Sequence, residues 1–507
     1  MNLPKLHKFV PYSFVLVLTL LGFIALTQRP VLGKRTQDIQ YGADPILGPV
    51  LEPCVTDATV PGATVVDPEQ EWEQILRSAQ PGATILFHGG TYQGSDKLWL
   101  PAGAAGAPIM LQPYNCEAVI LYTSLRPLSY TVIAGLTLQA QDIADQDYVI
   151  RIDSEYKGEY WGNITQVTIR NNRIYGGMTD AVRISDDIAN ITITGNLIDG
   201  GATGHNIFVT SEKHLQQPDQ ILITNNKLTK RLFDTPAEDM FQVRDVGYVA
   251  FTFNTCTDGV NMEQCVDIKT TTTPLLIANN FFDGAHLHVA GTGEDKADGC
   301  MVIHESDEVA EQHLIEHNYF NQCKGAAIRF AAGEGEQEIG SGIVRYNLFL
   351  QTSDQQGALS LFNAHNVLFL NNTMICGRFK LGNSAQTSTP SNTTIKNNIF
   401  YKTSIEDHTS PSNAPYSCSY NLFYATRGSG FVTSGCVSSS NVDPQFVGAT
   451  IHNFHLQSTS PALSAGEGGV HLGAFSWVEP PVDLPFQFYL PVVVQIPPFS
   501  SELACQS

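Results

Sequence analysis

Charge is scarce in this chain: charged residues fill 15% of its 507 positions, against roughly a quarter in ordinary soluble domains. Basic residues are the scarcer sign, since 28 Lys and Arg face 49 Asp and Glu for a formal charge of −21. Phosphate recognition needs clustered Lys and Arg, so composition excludes a nucleic-acid partner and argues against attraction to anionic membranes. Long apolar runs are missing after the N-terminus. The run from Phe14 to Leu26, behind Lys5, His7 and Lys8, is short for a bilayer span and suits a secretory signal. Residues 1–33 are expected to be that signal, followed by a linker over 34–59, giving a secreted or cell-surface product without stable membrane insertion. None of the ten cysteines lies at zinc-knuckle spacing, which argues against a zinc cluster and, in an exported chain, permits disulfides. Cys54 and Cys116 can staple the N-terminal region, and Cys418 and Cys436 can close a late loop. Apolar residues, by contrast, are plentiful at 43%, enough for a large core and against disorder.

A repeat organises the chain. Val167-Thr-Ile-Arg-Asn-Asn172-Arg-Ile174 recurs as Ile191-Thr-Ile-Thr-Gly-Asn196-Leu-Ile198 and as Ile221-Leu-Ile-Thr-Asn-Asn226-Lys-Leu228, and aligned asparagines follow at 254, 280, 318, 347, 372 and 398. Three residues before each Asn, and two after it, the side chain is apolar. Alternation with period two marks short strands. The recurring Asn suits a tight bend, because Asn tolerates left-handed backbone angles, and stacked amides can bond from coil to coil. Coils of this length predict an all-β solenoid, and parallel crossovers are right-handed, so the expected fold is a right-handed parallel β-helix over residues 60–476. A helix over 71–79, with Trp72, Ile75, Leu76 and Ala79 on one face, is expected to cap its first coil. Asp443 to Phe446, Asn453 to Leu456 and Ser460 to Leu463 read as terminal coils, and 477–507 as a Pro-rich tail.

A third strand follows each bend, beginning at Ala181, Asn206, Met240, Cys265, Cys300, Ala327 and Ala358, with apolar second and fourth positions in every copy. Those positions point inward and the third and fifth outward. The fifth-position column contains Arg244, Lys269 and His304, expected side by side at the ~4.8 Å spacing of paired strands. Neighbouring cations disfavour a charged Lys, which prepares Lys269 as a general base. Asp267 and Arg329 share the third-position column. Glu238, Asp239, Glu263 and Asp298 lie just before the same strands, and several carboxylates at one spot can hold calcium. The longest inserts, 228–239 and 283–299, are expected to wall this stripe into a groove. A solvated ion-pair ladder is the competing reading. Tyr156, Tyr160 and Trp161 can stack on a sugar ring or form a plain loop cluster. His286, His288, His313 and His317 read as loop or turn residues, Cys256 as a core thiol, and Asp186-Asp187 as a charged turn.

Gln80-Pro-Gly-Ala-Thr-Ile-Leu-Phe87, Gly90-Thr-Tyr92 and Ala107-Pro-Ile109 together resemble the N-terminal cap of secreted β-helix polysaccharide lyases. The pectate lyases and the alginate lyase/chondroitinase B group are nearest in style. The ending Asp443-Pro-Gln-Phe446, Ser460-Pro-Ala-Leu463 and Leu472-Gly-Ala-Phe475 is similar to bacterial β-helix proteins generally. The resemblance covers about residues 60–476. It implies β-elimination on a uronate-containing polysaccharide. Lys269 would be the base, Arg244 or calcium would neutralise the uronate, and His304 or a water would protonate the leaving oxygen. By the resemblance Glu263 takes an ion-ligand position; from their places in the columns and loops, Asp267, Asp239 and Asp298 are the further calcium candidates and Arg329, Tyr160 and Trp161 the sugar contacts. The chain departs from the group in having a single Glu before Lys269, with Cys265 where a second acid is expected and His304 rather than Arg on the next coil. The expected partner is an acidic polysaccharide and the chain is expected to be a monomer. A β-helix glycoside hydrolase, a uronate epimerase and a non-catalytic glycan-binding surface protein are the alternatives.

Overall fold

The computed structural model describes residues 60–475 except 61, 96, 141–147, 157–158, 161, 213–215, 231–236, 260, 285–298, 304–311, 324, 331–339, 352–356, 362–363, 382–390, 409–415, 429–435 and 452. Alternating apolar residues place the strands of successive coils in three parallel sheets. A first sheet of 15 strands runs from Thr64–Val66 to Cys436–Val437, a second of 13 from Gly90–Gln93 to Leu422–Tyr424, and a third of 12 from Leu98–Leu100 to Ser404–Asp407. Ile188–Thr194, Leu197–Gly200 and Ile207–Thr210 are the three strands of one coil. Each bonds in parallel to its counterpart in the next coil: Ile191 pairs with Ile221, Ile198 with Leu228 and Val209 with Val243. The fold is therefore a parallel β-helix, and among the described residues no helix is long and apolar enough to cross a membrane.

The recurring asparagine forms a continuous internal ladder. Asn280 Nδ2 donates to Asn318 Oδ1 at 2.9 Å, and Asn318 Nδ2 to Asn347 Oδ1 at 3.0 Å. The same links run from Asn172 through Asn398 to Asn421, one coil beyond the expected series. Each amide also serves the backbone, as Asn280 Nδ2 does at Phe251 O (2.8 Å). A buried amide is tolerated because its bonding capacity is used. The left-handed bend falls one residue earlier than expected. Asn171, Asn225, Asn279, Asn371 and Asn397 have φ between 52° and 59°, and Phe253, His317 and Tyr346 fill the same place in their coils. The ladder Asn is kept for its side chain, and its predecessor makes the turn.

Inside, the apolar columns close into one core. Phe282, Phe320 and Phe349 stack coil upon coil with centroids 4.9 and 5.0 Å apart; burying each contributes about 2–3 kcal/mol. The helix Trp72–Arg77 is shorter than expected but buries Trp72 and Leu76 against the first coil, with Trp72 edge-on to Phe87 and Tyr92. The C-terminal segments depart from expectation. Phe446–Gly448 and Asn453–Leu456 form an antiparallel pair, and the segment from 461 to 475 is no further coil. Phe446, Phe454, Leu456, Ala462 and Leu472 instead pack on Leu350, Ile375, Ile399 and Leu422, outside the main core. Ala474 N–H bonds Thr373 Oγ1 at 2.9 Å and Glu467 N–H bonds Asn397 Oδ1 at 3.1 Å. The outer face of the second sheet is apolar here, so a strap of chain covers it. Cys418 and Cys436 are joined as expected, and Cys300 is joined to Cys323.

Candidate functional site

The strands Phe241–Arg244 and Val266–Ile268 set the register of the stripe: Gln242 pairs with Asp267 and Val243 with Ile268, and Lys269 N–H bonds Val243 O at 3.0 Å. Arg244 and Lys269 are thus neighbours on successive coils. Both reach solvent, with side chains 61% and 37% exposed. Arg244 Nε lies 3.9 Å from Asp245 Oδ2, and Lys269 Nζ lies 3.1 Å from Asp267 Oδ2. Neighbouring cations were expected to act on Lys269; the structure also sets a carboxylate two residues back in contact with it. His304 follows Ile303, the partner of Ile268, and itself lies outside the described residues.

In the third-position column Asp267 is followed by Val302 and then Arg329, so Arg329 stands two coils from Asp267 on the same face and is half-buried. These positions point away from the core, yet the face is not open. Asp267 is 3% exposed, and Phe208, Gln242 and Val302 are buried with it. Bulky apolar and amide side chains share the column, so an expected surface carboxylate becomes an interior one. Gln242 Nε2 holds it in place, donating at 2.9 Å to both Asp239 Oδ2 and Asp267 Oδ2.

One residue before each third strand stands a further column, Asp180, His205 and Asp239, of which only Asp239 was expected to matter. His205 Nδ1 is 2.7 Å from Asp180 Oδ1, and His205 Nε2 is 4.0 Å from Asp239 Oδ2. Asp180 also accepts the His205 backbone N–H at 3.0 Å and Arg183 Nη1 at 2.7 Å. Burial alone would raise the Asp180 carboxyl, but His205 and Arg183 outweigh it and hold it below the usual carboxylate range. Asp239 is the opposite case. Burial first, then Asp267, with Glu263 and Glu238 adding, push its carboxyl well above that range, against the pull of Lys269. Two buried atoms here, Asp239 Oδ1 and His205 Nε2, have no hydrogen-bond partner among the described residues. The alignment was readable one position ahead of each strand, but nothing in the pattern marked the three residues as buried together.

The residues expected to hold calcium are partly gathered. Glu263, half-buried, donates its backbone N–H to Glu238 O at 3.2 Å, while Asp298 lies outside the described residues. Asp267 is engaged by Lys269 and Gln242. Among the described residues, the donor atoms that lie mutually close, within 4.8 Å, belong to His205, Glu238 and Asp239. Calcium takes six to eight oxygens. A set built on an imidazole nitrogen does not fit that shell.

Other candidates settle more simply. Tyr160 falls in the short strand Glu159–Tyr160, and Trp161 lies outside the described residues, as do His286, His288, half of the first long insert and most of the second. His317 sits at a turn, but His313 is a fully buried strand residue whose Nδ1 accepts Leu275 N–H at 3.1 Å. Asp187 Oδ1 accepts Gln216 N–H and Asp186 Oδ1 accepts Glu212 N–H, so this pair anchors a loop. Cys256 is a buried free thiol beside Cys265. Arg126, Arg151 and Arg183 surround the Tyr148 ring at 4.9 to 5.6 Å, with Asp153, Asp180 and Glu212 balancing their charge.

No family model matches the sequence, and no curated protein matches it. Among solved structures the chain is similar to the PL6 family alginate lyase AlyGC at 15% identity and a TM-score of 0.54, covering 83% of this chain and 60% of that one. It thus spans about 60% of that lyase's length. A mannuronic acid specific polysaccharide family 6 lyase from human gut microbiota gives 14% identity, TM-score 0.43, and coverage of 76% and 92%. Pectate lyase Pel9A gives 11%, 0.38, and 82% and 96%. At these identities the likeness concerns architecture: the chain has the parallel β-helix fold of polysaccharide lyases.

Proposed function

We propose that this chain is an exported polysaccharide lyase that cleaves a uronate-containing polymer by β-elimination, acting as a monomer. The observation that carries the proposal is the pairing of Arg244 and Lys269 on adjacent coils, both reaching solvent from one face of the solenoid. The structural neighbour AlyGC, an alginate lyase, supports the reaction class. The chain's net charge of −21 opposes a polyanion, but at physiological salt charges are screened beyond ~8 Å, so the local cations govern docking.

In this reading Arg244 binds the uronate carboxylate and spreads its charge, which acidifies the adjacent C–H. Lys269, as the free amine, removes that proton. The electron pair forms the ring double bond as the glycosidic C–O bond breaks, and His304 or a water protonates the leaving oxygen. Arg329 extends the cationic face along the polymer. Calcium enters no step, because the donor set at Asp239 does not match it. Hydrolysis is the weaker reading: its two carboxylates must flank the scissile bond, whereas Asp239 and Asp267 are 1% and 3% exposed and tied to one glutamine. Incubation with alginate, polygalacturonate and glycosaminoglycans tests the proposal. Ultraviolet-absorbing unsaturated products from the wild type, lost by at least about 100-fold in Lys269→Ala, support it. Reducing ends without that absorbance, or binding without turnover, overturn it.

A further inference from the structure

We propose that His205, Glu238 and Asp239 form a binding site for a divalent transition ion of the zinc type, with Asp180 as the residue that positions the imidazole. The site is independent of the lyase reading.

The donor chemistry selects the ion. One imidazole nitrogen and two carboxylates suit zinc and its first-row neighbours, whereas calcium and magnesium favour oxygen throughout. Three donors from the protein leave further positions for water, and Glu238 is exposed while His205 and Asp239 are buried. The ion would therefore lie at the boundary between the packed column and solvent.

One buried atom faces this space: His205 Nε2, 4.0 Å from Asp239 Oδ2. His205 Nε2 and Asp239 Oδ1 lack hydrogen-bond partners among the described residues, although the side chains are only 8% and 1% exposed. A buried polar atom without a partner is destabilising, and metal ligation supplies the missing partner of His205 Nε2. The His205 tautomer is set for this role. Asp180 Oδ1 accepts from Nδ1–H at 2.7 Å, which leaves the Nε2 lone pair on the side of Asp239, 4.0 Å from its Oδ2. A carboxylate behind a ligating histidine is the usual outer arrangement of such sites. A Cβ at Gly204 would clash first with the Thr179 carbonyl oxygen and then, at 2.7 Å, with Asp180 Oδ1, so a larger residue there would shift the backbone that carries Asp180.

The test is titration of the chelator-stripped full chain with zinc chloride by calorimetry, with cobalt substitution to read the ligand field. The expected result is one zinc ion per chain, retained in a large excess of calcium, and a cobalt spectrum of mixed nitrogen and oxygen donors. Glu238→Gln changes an exposed side chain and is expected to keep the wild-type circular dichroism while weakening zinc about 10–100-fold. Asp180→Asn, which removes only the charge behind the imidazole, should weaken it by a similar factor. Zinc affinity equal in the wild type and Glu238→Gln, absence of stoichiometric zinc binding, or displacement of zinc by equimolar calcium overturns the proposal.

Discussion

Lys269 Nζ lies 3.1 Å from Asp267 Oδ2, two residues back along the same side of one strand. The contact ties the most reactive residue of the proposed mechanism to a carboxylate that is itself buried and held by Gln242. Asp267→Asn removes the charged partner that holds the amine in place and keeps the shape. With the amine less firmly positioned, kcat/KM on the uronate polymer is expected to fall by about 10-fold. An unchanged kcat/KM would separate Asp267 from the base.

The asparagine ladder makes a sharper stability prediction. Asn280 Oδ1 accepts from Asn254 N and Nδ2, and its own amide donates to Phe251 O and Asn318 Oδ1. Asn280→Ala strands buried donors and acceptors on the two flanking coils and should cost about 3–5 kcal/mol. Asn279→Gly alters the residue that makes the turn, at φ 58°, where glycine is at home, and should change stability by less than about 1 kcal/mol. Urea unfolding of the two variants checks the division of labour between neighbouring asparagines.

Ile268 points into the core between Val243 and Ile303 and is fully buried. Ile268→Asp places an unpaired charge there and should prevent folding. A soluble variant with native circular dichroism would contradict the strand register on which the stripe depends.

Lys230 is fully buried on the strand Lys227–Lys230, and burial lowers its pKa from 10.5 to about 8 despite Asp199 nearby. The folded chain then binds fewer protons than the unfolded chain between these values. Stability should accordingly rise as pH climbs from about 8 to 10.5, and the cost is felt in full below pH 8. Lys230→Met is expected to flatten that slope and to stabilise the chain at pH 7 by on the order of 3 kcal/mol. Urea midpoints at pH 7 and pH 10 for both proteins read the effect.

The winding of the chain was legible in residue order alone. Strand alternation is local, and a coil must return each asparagine to the same corner, so the period and the pairing of Val243 with Ile268 follow from spacing. The stripe of Arg244 and Lys269 follows from the same period. Backbone angle is not written that way: the turn at Asn279 and the side-chain ladder at Asn280 are adjacent asparagines, and coordinates alone separate their roles. The C-terminal segments read as further coils because their apolar residues recur like the others. They pack elsewhere because Ile375, Ile399 and Leu422 leave an apolar outer face to cover.

Three-dimensional packing also decided the centre of the site. The order of residues put Asp180, His205 and Asp239 in register one place ahead of their strands. It could not say that side chains directed away from the core are nonetheless enclosed. Enclosure raises Asp239, orients His205 through Asp180 and ties Asp267 to Lys269, because charge interactions depend on distance and solvent access, and neither is a property of a position in a sequence.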